Sequence, residues 1–162
     1  MQKKLRNLSM AALFAALIAA LTMVHVVTLP NGYVHPGDLF VYLSGCLLPA
    51  PWAMAAAAIG GGLADLFGGY AVYAIPTVIV KACIALCFSA KKEKIFCPRN
   101  ALALLPAAVL TMGGYFLADN VIYSWAAALA NLPANLLQAA GSAALFVLLG
   151  FAMDKAGVKR RV

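Results

Sequence analysis

Residues 30–51 read PNGYVHPGDLFVYLSGCLLPAP, and the number of helices in the fold turns on them. Pro30, Asn31 and Gly32 form one turn signal, Pro36 and Gly37 a second, and Pro49, Ala50 and Pro51 a third. The apolar run from Leu39 to Leu48 lies between the last two. If the turns are tight, that run is a short helix of its own. Pro36 suits its first turn, and Asp38 suits the positive end of the helix dipole.

Working outward, the chain is almost pure hydrocarbon on both sides. It has 162 residues, of which 65% are hydrophobic and 10% charged, with a mean hydropathy of +0.93. A soluble domain is about half apolar and about a quarter charged, so this composition points to the bilayer as solvent and to a single domain. The first basic residues and the run from Leu8 to Val27 resemble a secretory signal. No clean A-x-A-like site follows, however, and further apolar segments come after, which favours a retained membrane helix.

The net charge is +7, and eleven of the twelve lysines and arginines fall in three clusters. These are Lys3, Lys4, Arg6; Lys91, Lys92, Lys94, Arg99; and Lys155, Lys159, Arg160, Arg161. Each flanks an apolar stretch, so the positive-inside rule accounts for them better than nucleic-acid binding does. If all three are cytoplasmic, an even number of crossings separates each pair. At about 20 residues per crossing, two fit after Arg99 and four fit between Arg6 and Lys91.

The expected fold is therefore an all-α membrane protein, a bundle of six transmembrane helices with both termini cytoplasmic. The helices are expected at 8–28, 36–49, 51–69, 72–90, 100–119 and 132–153. The intervening loops 29–36, 68–72 and 119–131 then lie outside and carry no lysine or arginine. Asp38, Asp65 and Asp119 lie on or near that side.

Small residues recur every fourth position on the first helix, as Ala11, Ala15, Ala19 and again as Ala12, Ala16, Ala20. Such spacing allows close helix approach in lipid. It serves either packing within the bundle or docking of a partner.

Polar residues at membrane depth raise a functional question. Lys81 lies about 13 Å and Asp65 about 6 Å from the outer ends of their helices, so an Asp65–Lys81 pair is expected. It would either fix helix register or present the lysine to a ligand. Asn131, Asn135 and Gln138 put three amides on one face, with Pro133 read as first-turn proline. That face suits helix-to-helix hydrogen bonding or a heterocyclic ligand.

Tyr115, Asp119 and Asn120 join this set, whereas Tyr123 and Trp125 suit interface anchoring. His25 is placed on the first helix as a packing residue. Cys46, Cys83, Cys87 and Cys97 have no ligand cluster at metal spacing and read as small buried apolar residues. There is no P-loop, H-E-x-x-H or G-x-S-x-G motif, and catalysis has little support.

The segments NGYVHPGDLFVYLSGCLLP, AAIGGGLADLFGGYAVYAIPTVIVKA, GGYFLADN and LPANLLQAAG together resemble the substrate-binding S components of energy-coupling factor (ECF) transporters, riboflavin/heterocycle-type branch. The likeness spans residues 8–153. It implies six helices with both termini inside, and capture of a vitamin-like heterocycle in an outward pocket beneath loop one. It further implies a membrane coupling subunit docked on the alanine ladders, two ATPase subunits, no cofactor, and the cell membrane of a prokaryote. The loop departs from the H-L-G-D pattern of such proteins by Pro36.

The candidate binding residues are Tyr33, His35, Asp38, Asp65, Lys81, Tyr115, Asp119, Asn120, Asn135 and Gln138. Tyr33 and His35 are expected to face the ligand from a hinged loop. A membrane enzyme acting on a lipid or prenyl substrate and a ligand-free scaffold are the alternatives.

Overall fold

The computed structural model describes residues 1–29 and 32–160, with backbone alone at 27–29, 32–33 and 160. The turn expected at Asn31 lies outside the described residues, as does the side chain of Tyr33. The chain is all-α apart from one short hairpin. Helix α1 (Gln2–Thr22) leads into strands β1 (Val27–Leu29) and β2 (Gly32–Val34), then α2 (Gly37–Leu47) and α3 (Ala50–Gly68). A 3-10 turn at Ala71–Tyr73 precedes α4 (Ala74–Cys87), and a one-turn α5 (Pro98–Leu102) precedes α6 (Leu104–Ile122) and α7 (Trp125–Lys155). β1 and β2 are antiparallel, with Thr28 opposite Tyr33. Short connections make successive long helices run in opposite directions, so the hairpin lies at one end of the bundle and the basic clusters at the other.

Among the described residues, four segments are long and apolar enough to cross a membrane: Gln2–Thr22, Ala50–Gly68, Pro98–Ile122 and Trp125–Lys155. Gly37–Leu47 and Ala71–Cys87 are shorter apolar helices. With eleven residues, α2 is about 16 Å long, against about 30 Å of hydrocarbon. It forms a central rod packed among the other helices. Nearly all of it is buried, from Gly37 to Cys46 with only Phe40 partly open. Tyr42 on α2 stacks on Phe88 at 4.8 Å between ring centres, and Phe146 of α7 meets Phe88 edge-on at 5.3 Å.

The interior of α3 is made of small residues, Ala53, Ala56, Ala57, Gly60, Gly61 and Ala64 among them, while Ile59, Leu66 and Phe67 face outward. This inverts the soluble pattern. In lipid, association is driven by close packing, so bulk goes to the lipid face and small residues go to the contacts. A Cβ on Gly60 would stand 2.7 Å from the Ala15 carbonyl oxygen and 2.8 Å from the Ile18 Cβ. That position sets the distance between α1 and α3.

This packing divides the two alanine ladders. Ala11 and Ala15 are buried and Ala19 is half-buried, whereas Ala12, Ala16 and Ala20 are exposed. Ala11 and Ala15 are buried on the side of α1 that meets α3, with Gly60 against Ala15.

Several boundaries differ from expectation. The first helix begins at Gln2, because Lys3, Lys4 and Arg6 are good helix formers despite their charge. It stops at Thr22, where the β-branched Val26, Val27 and Thr28 give way to the hairpin. His25 consequently lies beyond the helix, edge-on to Tyr70 at 6.3 Å. The last helix begins at Trp125, because the Ser124 hydroxyl caps it by accepting the Ala127 N–H at 3.2 Å. Pro133 is therefore inside the helix and not in its first turn.

At the basic end, the Asp154 carboxylate accepts the N–H groups of Ile95 and Phe96 at 2.7 and 2.9 Å. Asn100 ties Ser89 to Ile95. The loop between α4 and α5 is thereby pinned to the end of α7.

Candidate binding site

The polar side chains that the sequence distributes over the chain meet in one buried band towards the hairpin end. Tyr73, Thr77 and Lys81 recur every fourth residue at the start and along one face of α4. Tyr115 and Asp119 do the same on α6, and Asn131, Asn135 and Gln138 line α7.

The centre of the band is an ion pair between Lys81 Nζ and Asp38 Oδ1 at 2.5 Å, with both residues fully enclosed. This corrects the expected partner of Lys81. Asp38 neither caps its helix by a side-chain hydrogen bond nor faces outward, because α2 runs through the middle of the bundle. The Lys81 ammonium also lies 5.3 Å from the centre of the Tyr115 ring, within cation–π range. The Tyr115 hydroxyl is 3.2 Å from Thr77 Oγ1. Asp65 stands beside Thr77 and Lys81, is 5% exposed, and its Oδ2 has no hydrogen-bond partner among the described residues.

A second cluster continues the band. The Tyr73 hydroxyl donates to Asp119 Oδ1 at 2.5 Å, and Asn131 Nδ2 donates to Asp119 Oδ2 at 3.0 Å. Tyr73 and Tyr115 are tilted neighbours at 6.5 Å, which joins the two clusters. Asn131 Oδ1 and Asn135 Nδ2 are buried without partners. Asn120, one residue after Asp119, is exposed; a step of about 100° along the helix turns it away from Asp119.

Gln138 ties the band to the loop. Its Oε1 accepts the His35 N–H at 2.9 Å, and its Nε2 donates to the His35 carbonyl at 3.1 Å and to Asp38 Oδ2 at 3.0 Å. One side chain thus grips both backbone groups of His35. The imidazole of His35 is buried, and its Nδ1 accepts the Gly37 N–H at 3.2 Å. Gly37 has no room for a side chain, since a Cβ would fall 2.0 Å from Thr22 Oγ1. The loop is thus seated against the end of α1 on one side and against α7 on the other.

Among the described residues, no three His, Cys, Asp or Glu side chains converge as metal ligands. The band presents hydrogen-bond donors and acceptors side by side.

The sequence reading did not single out Tyr73 and Thr77, although they precede Lys81 by eight and four residues, the spacing of one helix face.

A multi-pass apolar bundle with a buried polar band beneath a pinned loop has the architecture of a membrane substrate-binding protein. The chain matches the family described as ECF-type riboflavin transporter, S component, over residues 2–155, and it belongs to that family. The S component is the substrate-binding subunit of such a transporter and not an enzyme. No curated protein gives a significant match to the chain.

Proposed function

We propose that this chain captures a vitamin or vitamin-like heterocycle in the polar band and delivers it through an ECF importer. The observation that carries this reading is that three buried polar atoms of the band, Asp65 Oδ2, Asn131 Oδ1 and Asn135 Nδ2, have no partner among the described residues. Unmet groups of this kind are costly, and a ligand that meets them repays the cost on binding. The Lys81–Asp38 pair alone would suit a ligand-free scaffold; the unmet atoms favour a ligand. Riboflavin is the first compound to test, since the family bears its name.

In this reading the hairpin end faces outward and the basic clusters face the cytoplasm of a prokaryotic cell, following the positive-inside rule. All six longer helices lie across the membrane, the short α2 sheltered by the others. The exposed ladder Ala12, Ala16 and Ala20 takes the membrane coupling subunit, and two ATPases supply energy to the whole assembly. His35, Asp38 and Gln138 hold the loop over the ligand. Asp65, Tyr115, Asp119, Asn131 and Asn135 contact it.

The test is co-reconstitution with an ECF coupling subunit and its ATPases in proteoliposomes, with riboflavin and other vitamin-type heterocycles outside. ATP-dependent accumulation of one compound is expected. No accumulation of any compound by a correctly assembled complex would refute the proposal.

A further inference from the structure

Resting on that reading, the hydrogen-bond balance of the band restricts the ligand's chemistry further. Lys81 is the single lysine or arginine in it, and its charge is already met by Asp38 at 2.5 Å. The other described lysines and arginines lie at the opposite, basic end. Among the described residues, no lysine or arginine of the band is left over for an anionic ligand.

The unmet groups point the other way. Asp65 is 5% exposed with Oδ2 unpartnered, and a carboxylate oxygen only accepts. Asn131 has its amide orientation fixed, because Nδ2 donates to the Asp119 carboxylate, which takes donors alone. The free end of Asn131 is therefore its oxygen, again an acceptor. Asn135 Nδ2 offers an unmet donor on α7, and the Thr22 hydroxyl beside Gly37 is a further unmet group that can donate or accept. Asp65 and Asn131 are joined by a chain of contacts through Thr77, Tyr115, Tyr73 and Asp119, of which the step between the two tyrosines is a ring contact. A negative ligand here would meet two carboxylates at low dielectric with no charge to balance it.

We propose that the site selects by charge. It holds a neutral or cationic heterocycle whose N–H or O–H donors reach Asp65 Oδ2 and Asn131 Oδ1, and it rejects the carboxylate or phosphate form of the same ring.

The test uses matched pairs against the purified full chain in nanodiscs: riboflavin and its 5′-phosphate, pyridoxine and its 5′-phosphate, and 7-aminomethyl- and 7-carboxy-7-deazaguanine. In the pair that binds, the uncharged or cationic member is expected to bind about a hundredfold more tightly. Asp65→Asn is expected to weaken it about tenfold while thermal stability is kept; if that variant fails to fold, Asn131→Asp is read instead and is also expected to weaken binding. Equal or tighter binding of the anionic member, or unchanged affinity in a folded variant, overturns the charge rule and leaves the capture reading standing. Binding of no compound in any pair, with folded protein, overturns both.

Discussion

Lys81 and Asp38 form a fully buried ion pair at 2.5 Å between two helices that share no connection in sequence. It couples α4 to the central α2, and Gln138 extends it to α7 by donating to the other Asp38 oxygen at 3.0 Å. Removing one charge strands the other. Lys81→Met and Asp38→Asn are each expected to destabilise the protein by about 3–5 kcal/mol. The double variant is expected to recover part of that loss, because no lone charge remains. Thermal unfolding of the four proteins in one detergent checks this, and additive losses would count against the pairing.

Gln138 is the clasp of the loop. Gln138→Leu deletes its bonds to both backbone groups of His35 and to Asp38. The buried groups left behind cost about 1–3 kcal/mol. Ligand dissociation is expected to accelerate roughly ten- to hundredfold, with a smaller change in association. Stopped-flow displacement measures both rates. An unaltered dissociation rate would show that the loop is held by other contacts.

Acid is expected to loosen the same loop. His35 lies outside the spanning helices, and burial pushes its pKa from 6.5 down to about 4, assisted by Lys81 and His25 and opposed by Asp38. The closed loop therefore prefers neutral His35, whose Nδ1 accepts the Gly37 N–H. An opened loop takes up a proton at the ordinary value. Closure is independent of pH above about 6.5 and weakens by about 1.4 kcal/mol per unit on the way down to about 4. Dissociation rates between pH 7.5 and 4.5 should rise in the wild type and stay flat in His35→Asn.

The two faces of α1 should separate folding from coupling. Ala15 is buried against α3, near Gly60, while Ala16 is exposed. Ala15→Leu is expected to destabilise the bundle by about 1–3 kcal/mol through overpacking. Ala16→Leu is expected to leave ligand affinity within twofold and to abolish co-purification with the coupling subunit. A coupled Ala16→Leu complex would exclude that face as the dock.

Hydropathy and charge clustering made the membrane bundle and its basic end legible in the sequence, because lipid exposure and the positive-inside rule act on composition. The polar residues of the band were legible for a related reason: a lysine, a tyrosine or an amide among apolar residues at membrane depth stands out. Their pairing was not. Lys81 meets Asp38 and not Asp65 because α2 runs through the centre, which is a tertiary fact without local signal. The split of the alanine ladders is likewise set by which face of α1 meets Gly60. The early start of α7 had a local signal in Ser124, but Pro133 was the stronger punctuation by eye.

The claim that the band is a ligand site is tested most directly by mass spectrometry of small molecules that co-purify with the protein. Wild type should be compared with a folded Asp119→Asn, Asn135→Leu double variant. One heterocycle near equal molar ratio is expected with the wild type, and none or a trace with the variant. Wild-type protein free of any such molecule after gentle purification from vitamin-rich medium, or a ligand retained equally by the variant, would contradict the account.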